Sequence, residues 1–121
     1  MIYHITSRTA WEEARRRGQY RAPSLKSEGF IHCSTRKQVL GVANDFYRGQ
    51  SDLLLLCIDE RGLRAELRWE APAHPEPLKD SGASSDSLFP HLYGMLNLDA
   101  VVDAIDFNET ESGFALPPDL P

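Results

Sequence analysis

Apolar and polar residues alternate along the chain in patterns that predict short strands separated by helices. A first strand is expected over Met1 to Ile5, where strand-forming residues begin at once. A first helix is expected over about Ala10 to Arg17, with three competing N-cap residues before it, Thr6, Ser7 and Thr9. The chain therefore opens with a strand that leads into a helix.

A second strand and helix are predicted after an extended segment. Gln19 to Ser27 is expected to be a short strand or extended chain, and Phe30 to Cys33 reads as a strand because it is short, aromatic and β-branched. Thr35 and Gln38 have the spacing of a capping box, in which each side chain accepts from a free backbone amide. A helix over about Arg36 to Arg48 follows, with apolar residues at steps of three and four.

The second half is richer in strands. Asp52 to Asp59 encloses an unbroken apolar run, typical of a strand covered on both faces. Leu63 to Glu70 alternates strictly between apolar and polar residues, and we expect these two segments to form a hairpin. A last strand is expected over Ala100 to Phe107. Because strands outnumber helices and some helices separate them, the predicted class is α+β.

Two segments show no regular pattern. Residues 71–90 hold four prolines and a cluster of serines, which predicts a long loop: a lid, a binding loop or an insert. Residues 108–121 are expected to form an extended tail along the surface. With 121 residues and no internal repeat, the chain is expected to be a single domain, residues 1–121.

Composition narrows the function classes. The formal net charge of −5 argues against nucleic-acid binding through a broad basic face. Cys33 and Cys57 lie in apolar runs without a pairing pattern, so we expect buried free thiols in a reducing compartment. The longest apolar run, Leu53 to Ile58, is too short to span a bilayer. We expect a cytoplasmic monomer or weak homodimer without membrane contact.

Histidines at strand ends are the first candidates for chemistry. His4 lies in the first predicted strand and His32 in the second, and each alone is more often a hydrogen-bonded structural residue. Together they are candidates for one cleft, because neutral imidazole binds ribose hydroxyls and protonated imidazole binds phosphate. Thr6, one of the possible N-cap residues of the first helix, is a third candidate for ligand contact.

Polar residues near the predicted helix and strand ends complete the set. Ser34 either caps the second helix or presents its hydroxyl to a ligand. Glu70 is either an exposed partner of a cross-strand arginine or a carboxylate that stabilises an oxocarbenium-like transition state. His91 and Tyr93 follow the long loop, and Tyr93 is either a core aromatic or a ring that stacks on a base.

Several common sites are not predicted. No two of His4, His32, Cys33 and His91 have a recognised zinc-ligand spacing, and no metal is expected. The chain has no G-x-S-x-G elbow, no G-x-G-x-x-G turn and no P-loop. A dinucleotide would therefore have to bind in another way.

The motifs resemble those of a bacterial family, domain-of-unknown-function family 952. The matching stretches cover nearly the whole chain: IYHIT, SEGFIHCST with the helix QVLGVANDFY, DLLLLCID, LRWE and FPHLYGMLNLDAVV. That family in turn resembles the ADP-ribosyltransferase superfamily. The resemblance implies two small antiparallel half-sheets around a cleft that takes NAD or an ADP-ribosylated intermediate, with two main helices.

The resemblance also implies roles for individual residues. His4 matches the histidine that contacts ADP-ribose, and His32 and Ser34 fall on the motif that borders the nicotinamide pocket. Glu70 stands in place of a catalytic glutamate that many transferases carry later in the chain, where this chain has Asp103 and Asp106. Related RNA 2′-phosphotransferases use basic residues instead, here Arg64 and Arg68.

Two functional hypotheses follow. The first is an NAD-dependent transferase that binds a small nucleotide and uses NAD as its substrate. Its catalytic residues would be His32 and Glu70. Its ligand-binding residues would be His4, Thr6, Ser34, His91 and Tyr93. The second is a non-catalytic ligand-binding or protein-interaction module on the same fold.

Overall fold

The fold combines small antiparallel sheets with a few helices. A computed structural model describes residues 1–72 and 88–121. The strands are β1 (Ile2–Ser7), β2 (Gln19–Tyr20), β3 (Ile31–His32), β4 (Leu53–Ile58), β5 (Glu66–Glu70), β6 (Phe89–Tyr93), β7 (Leu96–Asn97) and β8 (Val101–Asp106). The helices are α1 (Arg8–Arg17), α2 (Pro23–Ser27) and α3 (Arg36–Phe46), with 3-10 turns at Glu60–Gly62 and Leu98–Ala100. The predicted α+β class is confirmed.

Two three-stranded sheets dominate the architecture. One has the order β1-β4-β8 and the other β3-β6-β5, while β2 and β7 form a separate pair. All of these pairs are antiparallel. Tyr3 of β1 exchanges two backbone hydrogen bonds of 2.8 Å with Ser34, just beyond β3. This bridge joins the edges of the two main sheets and fixes their separation.

The two longer helices start at capped residues. Ser7 is the N-cap of α1 and accepts from the Ala10 amide at 3.0 Å, so the helix begins earlier than the expected start at Ala10. The predicted capping box of α3 is confirmed, because Thr35 and Gln38 accept from each other's backbone amides. This cap holds the chain rigidly where β3 ends and α3 begins.

The segment before β3 is partly helical, so the prediction of a short strand or extended segment over residues 19–27 is wrong from Pro23 onwards. The short helix α2 begins at Pro23, whose fixed φ and missing amide hydrogen suit the first position of a helix.

The predicted hairpin between Asp52–Asp59 and Leu63–Glu70 is also wrong. Strand β4 pairs on one side with β1 and on the other with β8, so it has no free edge for β5. Every residue of β4 is buried, as the apolar run required. Strand β5, with one polar face, instead forms the edge of the other sheet and pairs with β6.

Strand β6 begins inside the segment predicted as a loop. Phe89 and Pro90 belong to this strand. Residues 73–87 of the predicted loop lie outside the described residues. Pro90 accepts from the Cys33 amide at 3.1 Å, just beyond β3. The amide nitrogen and the carbonyl group of a strand residue point to the same side of the strand. Proline has no amide hydrogen to donate, and at Pro90 this missing donor faces the end of β3, where the hydrogen-bond ladder stops.

Alternation along β1 and β4 divides the core into two clusters. The first cluster includes Ile2, Leu56 and Ile58 and continues to the β3-β6-β5 sheet. The second cluster includes Tyr3 and Leu55. His4 and Thr6 share the face of Ile2, so they point towards the second sheet. The predicted surface tail contributes to the second cluster, with two residues that are buried, Phe114 and Leu120.

Both cysteines are buried and free, as predicted. Burial raises the pKa of the Cys33 thiol to about 12 and that of Cys57 to about 11. Since the thiolate is the reactive form, neither side chain is a nucleophile near neutral pH.

Candidate functional site

One face of the β3-β6-β5 sheet carries most of the predicted site residues. In the register, His91 of β6 lies between His32 of β3 and Arg68 of β5, and directly opposed residues point to the same face. Glu70 and Tyr93 share this face because they lie two residues from Arg68 and His91. The alternate residues Ile31, Leu67 and Leu92 pack into the core.

His91 is fixed on this face by a ring stack and a carboxylate. Its ring stacks on Phe30 at a centroid distance of 4.1 Å, and His32 lies edge-on at 5.7 Å. Its Nδ1 lies 2.8 Å from Glu70 Oε1. The Tyr93 hydroxyl donates to the same oxygen at 2.7 Å. Only 3% of the His91 side chain is exposed, so the ring has little freedom to turn.

Glu70 is held in its ionised form. The hydrogen bonds from Tyr93 and from His91 lower the pKa of the Glu70 carboxyl. An ionised carboxylate only accepts, so the proton of the Glu70–His91 hydrogen bond resides on Nδ1. This leaves His91 Nε2 as a lone pair while the imidazole is neutral.

Polar side-chain atoms of two predicted site residues are open. His91 Nε2 and the Ser34 hydroxyl have no hydrogen-bond partner within the residues that the structure describes. No buried side-chain nitrogen or oxygen in residues 1–72 and 88–121 lacks such a partner, so both atoms keep some accessible surface. Both residues line the cleft described below.

His4 lies at the centre of a buried polar network. Its Nδ1 is 2.6 Å from the backbone oxygen of His32, and its Nε2 is 2.8 Å from the Tyr20 hydroxyl. That hydroxyl is 3.0 Å from Thr6 Oγ1. Burial lowers the pKa of His4 to about 4, so the imidazole is neutral near pH 7. Nδ1 therefore donates to His32, and Nε2 accepts from Tyr20.

The surfaces between the sheets and helices enclose one cleft of about 710 Å³, within the range of about 300–1,000 Å³ common for small-molecule sites. Five predicted site residues line it: His4, Thr6, His32, Ser34 and His91. Glu70 and Tyr93 do not line the cleft. Glu70 is hydrogen-bonded to His91, which does line it, and Tyr93 is hydrogen-bonded to Glu70. Arg64 and Arg68 do not line it either, and they pair with Asp99 and Glu66.

Sequence reasoning missed several residues of this site. Tyr20, Tyr47, Arg17 and Arg21 line the cleft, and Phe30 stacks on His91. Arg17 belongs to a run of three arginines in the last turn of α1, and it pairs with Glu13 at 2.8 Å. Phe30 and Tyr47 lie within quoted family motifs, but their residue types gave no reason to expect a role in the site, and Tyr20 and Arg21 lie outside those motifs.

His32 lies at the edge of the cleft rather than in its interior. Its Nε2 is 3.2 Å from Glu28 Oε1, and 35% of its side chain is exposed. Among the described residues, no group of three histidine, cysteine, aspartate or glutamate side chains could hold a metal ion. In that same part of the chain, no helix is both long and apolar enough to cross a membrane.

The fold and cleft define a small α+β protein with a ligand-sized site between antiparallel sheets. The family model described as "Protein of unknown function (DUF952)" matches residues 5–104. The chain belongs to this family. The comparison with curated proteins found no match.

Solved structures of one bacterial protein are similar over almost the full chain. The crystal structure of protein CC0527 from Caulobacter crescentus is 32% identical, with a TM-score of 0.77, and the match covers 93% of this chain and 90% of that one. The solution NMR structure of CC0527 is 31% identical, with a TM-score of 0.73 and coverage of 93% and 89%. The same fold thus occurs in a relative studied in the crystal and in solution.

The His4 network yields a prediction about stability. We expect Tyr20→Phe to lower the free energy of unfolding by about 1–3 kcal/mol, because His4 Nε2 loses its buried partner. The measurement is the urea midpoint at neutral pH. Tyr47→Phe is the matched control, since the Tyr47 hydroxyl has no hydrogen-bond partner within the described residues. Equal losses in the two variants would contradict the proposed network.

Proposed function

We propose that the cleft binds a nucleotide of the NAD class and that the protein processes its ADP-ribose group. The observation that carries this proposal is the convergence of five residues, distant in sequence, on one cleft: His4, Thr6, His32, Ser34 and His91. Perturbed or constrained polar groups in a cleft of ligand size are the usual mark of a functional site. The resemblance to ADP-ribosyltransferases supplies the class of ligand by analogy.

The lining matches the mixed chemistry of a nucleotide. Phe46, Tyr47 and Phe89 supply aromatic surface for a base or nicotinamide ring. The Ser34 hydroxyl and His91 Nε2 are open to ribose hydroxyls. Arginines at positions 17 and 21 lie at the rim, where a diphosphate would find positive charge. Arg17 would have to share its charge between the ligand and Glu13.

The placement of the other basic residues favours NAD processing over RNA 2′-phosphate transfer. Arg64 and Arg68 are the candidates for phosphate handling in the second activity, and both are paired with carboxylates outside the cleft. The net charge of −5 adds a general barrier to RNA binding.

Ligand binding should raise thermal stability. A ligand that binds only the folded protein adds about 2.7 kcal/mol at 100 times its dissociation constant. We therefore expect millimolar NAD or ADP-ribose to raise the melting temperature. Ser34→Ala should weaken this effect by about 0.5–1.5 kcal/mol in binding free energy, because it removes one open hydroxyl from the cleft.

Ser27→Ala is the matched control for that experiment, since Ser27 is exposed and does not line the cleft. The variant should bind like the wild type. No shift with NAD, ADP-ribose or nicotinamide would refute the proposed ligand class. Binding without release of nicotinamide would instead support the non-catalytic module.

A further inference from the structure

The Glu70–His91 pair has the arrangement of a carboxylate that orients a base. Glu70 Oε1 accepts a hydrogen bond from His91 Nδ1 at 2.8 Å. The same oxygen accepts a hydrogen bond from the Tyr93 hydroxyl at 2.7 Å, which fixes the carboxylate. Phe30 stacks on the imidazole at 4.1 Å and restricts its rotation. The geometry thus selects one tautomer and presents Nε2 to the cleft.

We propose that His91 is the general base of the cleft, with Glu70 and Tyr93 as positioning residues. This inference rests on the proposed function, and it names the group that takes the proton. The oxygen of water, or of an acceptor hydroxyl, forms a bond to the ribose carbon that carries nicotinamide. The bond from that carbon to the nicotinamide nitrogen breaks, and its electron pair leaves with nicotinamide. The proton of the attacking oxygen passes to His91 Nε2 and then to solvent.

The other two histidines that the structure describes, His4 and His32, are less suited to this task. Both nitrogens of His4 are engaged by protein atoms, and its imidazole is buried. His32 Nε2 faces the Glu28 carboxylate at 3.2 Å, and its ring is one-third exposed. His91 therefore takes the catalytic role predicted for His32, and Glu70 supports the base instead of contacting the substrate.

Charged and titratable groups around His91 come from three strands. Glu70 and Arg68 face it from β5, His32 from β3 and Tyr93 from its own strand β6. Of these groups, Glu70 alone is hydrogen-bonded to the His91 ring in the described residues. The Glu70 carboxylate thus stabilises the imidazolium that forms when the base accepts a proton.

The test measures release of nicotinamide from NAD as a function of pH. We expect His91→Gln to reduce the rate by about 10²–10⁴-fold, the usual contribution of a general base, while the thermal shift with NAD persists. Glu70→Gln should reduce the rate less than His91→Gln does, because the ring stays in place but loses the carboxylate that fixes its tautomer. Glu66→Gln is the matched control on the same strand, and it should leave both the rate and the profile unchanged.

Nitrogen-15 NMR of the histidine rings provides a readout that needs no ligand. Wild-type His91 should show the tautomer protonated at Nδ1, and Glu70→Gln should populate the other tautomer. A wild-type ring protonated at Nε2 would overturn the proposal, as would wild-type turnover in His91→Gln. NAD binding without nicotinamide release at any pH would overturn the base role but leave ligand binding standing. Absence of NAD binding would refute the proposed function and the base role with it.

Discussion

Acidification from neutral pH to about pH 4 should remove about 3 kcal/mol of the free energy of unfolding through His4 alone. Burial lowers the pKa of this histidine in the folded protein from its ordinary value of 6.5 to about 4. Each unit of pKa difference between two states corresponds to about 1.4 kcal/mol. Native proteins have only about 5–15 kcal/mol of stability, so this loss is a large fraction of the total.

The direction follows from proton binding in the two states. The unfolded chain takes up a proton at His4 near pH 6.5, whereas the folded protein does so only near pH 4. Between these values the unfolded state binds more protons, so stability falls as the pH is lowered through this window. The contribution is complete above about pH 6.5, and its loss is complete below about pH 4.

Urea denaturation at a series of pH values measures this effect. His4→Asn lacks the titrating ring but keeps a side-chain amide donor near the position of Nδ1, so its stability should depend less on pH in this window. Ser27→Ala is the control, because it changes an exposed residue without a titrating group, and it should keep the wild-type slope. An unchanged slope in His4→Asn would show that another group controls the acid response.

The local elements of the fold could largely be predicted from the sequence. The capping box of Thr35 and Gln38 lies within four residues, and the unbroken apolar run of β4 indicates that this strand is buried. Strand pairing was harder, because β4 and β5 are close in sequence but belong to different sheets. The pattern showed that β4 is covered on both faces but not that β1 and β8 occupy both of its edges.

The candidate site was predictable in its residue types but not in its internal contacts. His4, Thr6, His32, Ser34 and His91 were identified from strand ends and family motifs, and they share one cleft. The partnership of Glu70 with His91 depends on the register of β5 against β6, which no local pattern encodes. Tyr20 joins His4 through a two-residue strand, a signal too short to recognise in the sequence.

Leu92→Ala should be the most damaging single truncation beneath the site, with an expected loss of about 2–5 kcal/mol in the free energy of unfolding. Leu92 is fully buried, and it lies between Ile31 and Leu67 in the register of the central strand β6. Truncation leaves a cavity that this packed layer cannot fill without moving β6.

The same substitution should impair the cleft, since His91 and Tyr93 flank Leu92 in the strand. Urea midpoints and the nitrogen-15 spectrum of His91 together measure both effects. Leu92→Met keeps the volume and should cost less than about 1.5 kcal/mol, while Leu88→Ala, at a position 42% exposed, should change stability by no more than about 0.5 kcal/mol. A loss in Leu92→Ala as small as that in Leu88→Ala would mean that the polar face of β6 does not depend on this core. The Glu70–His91 geometry would then need another support.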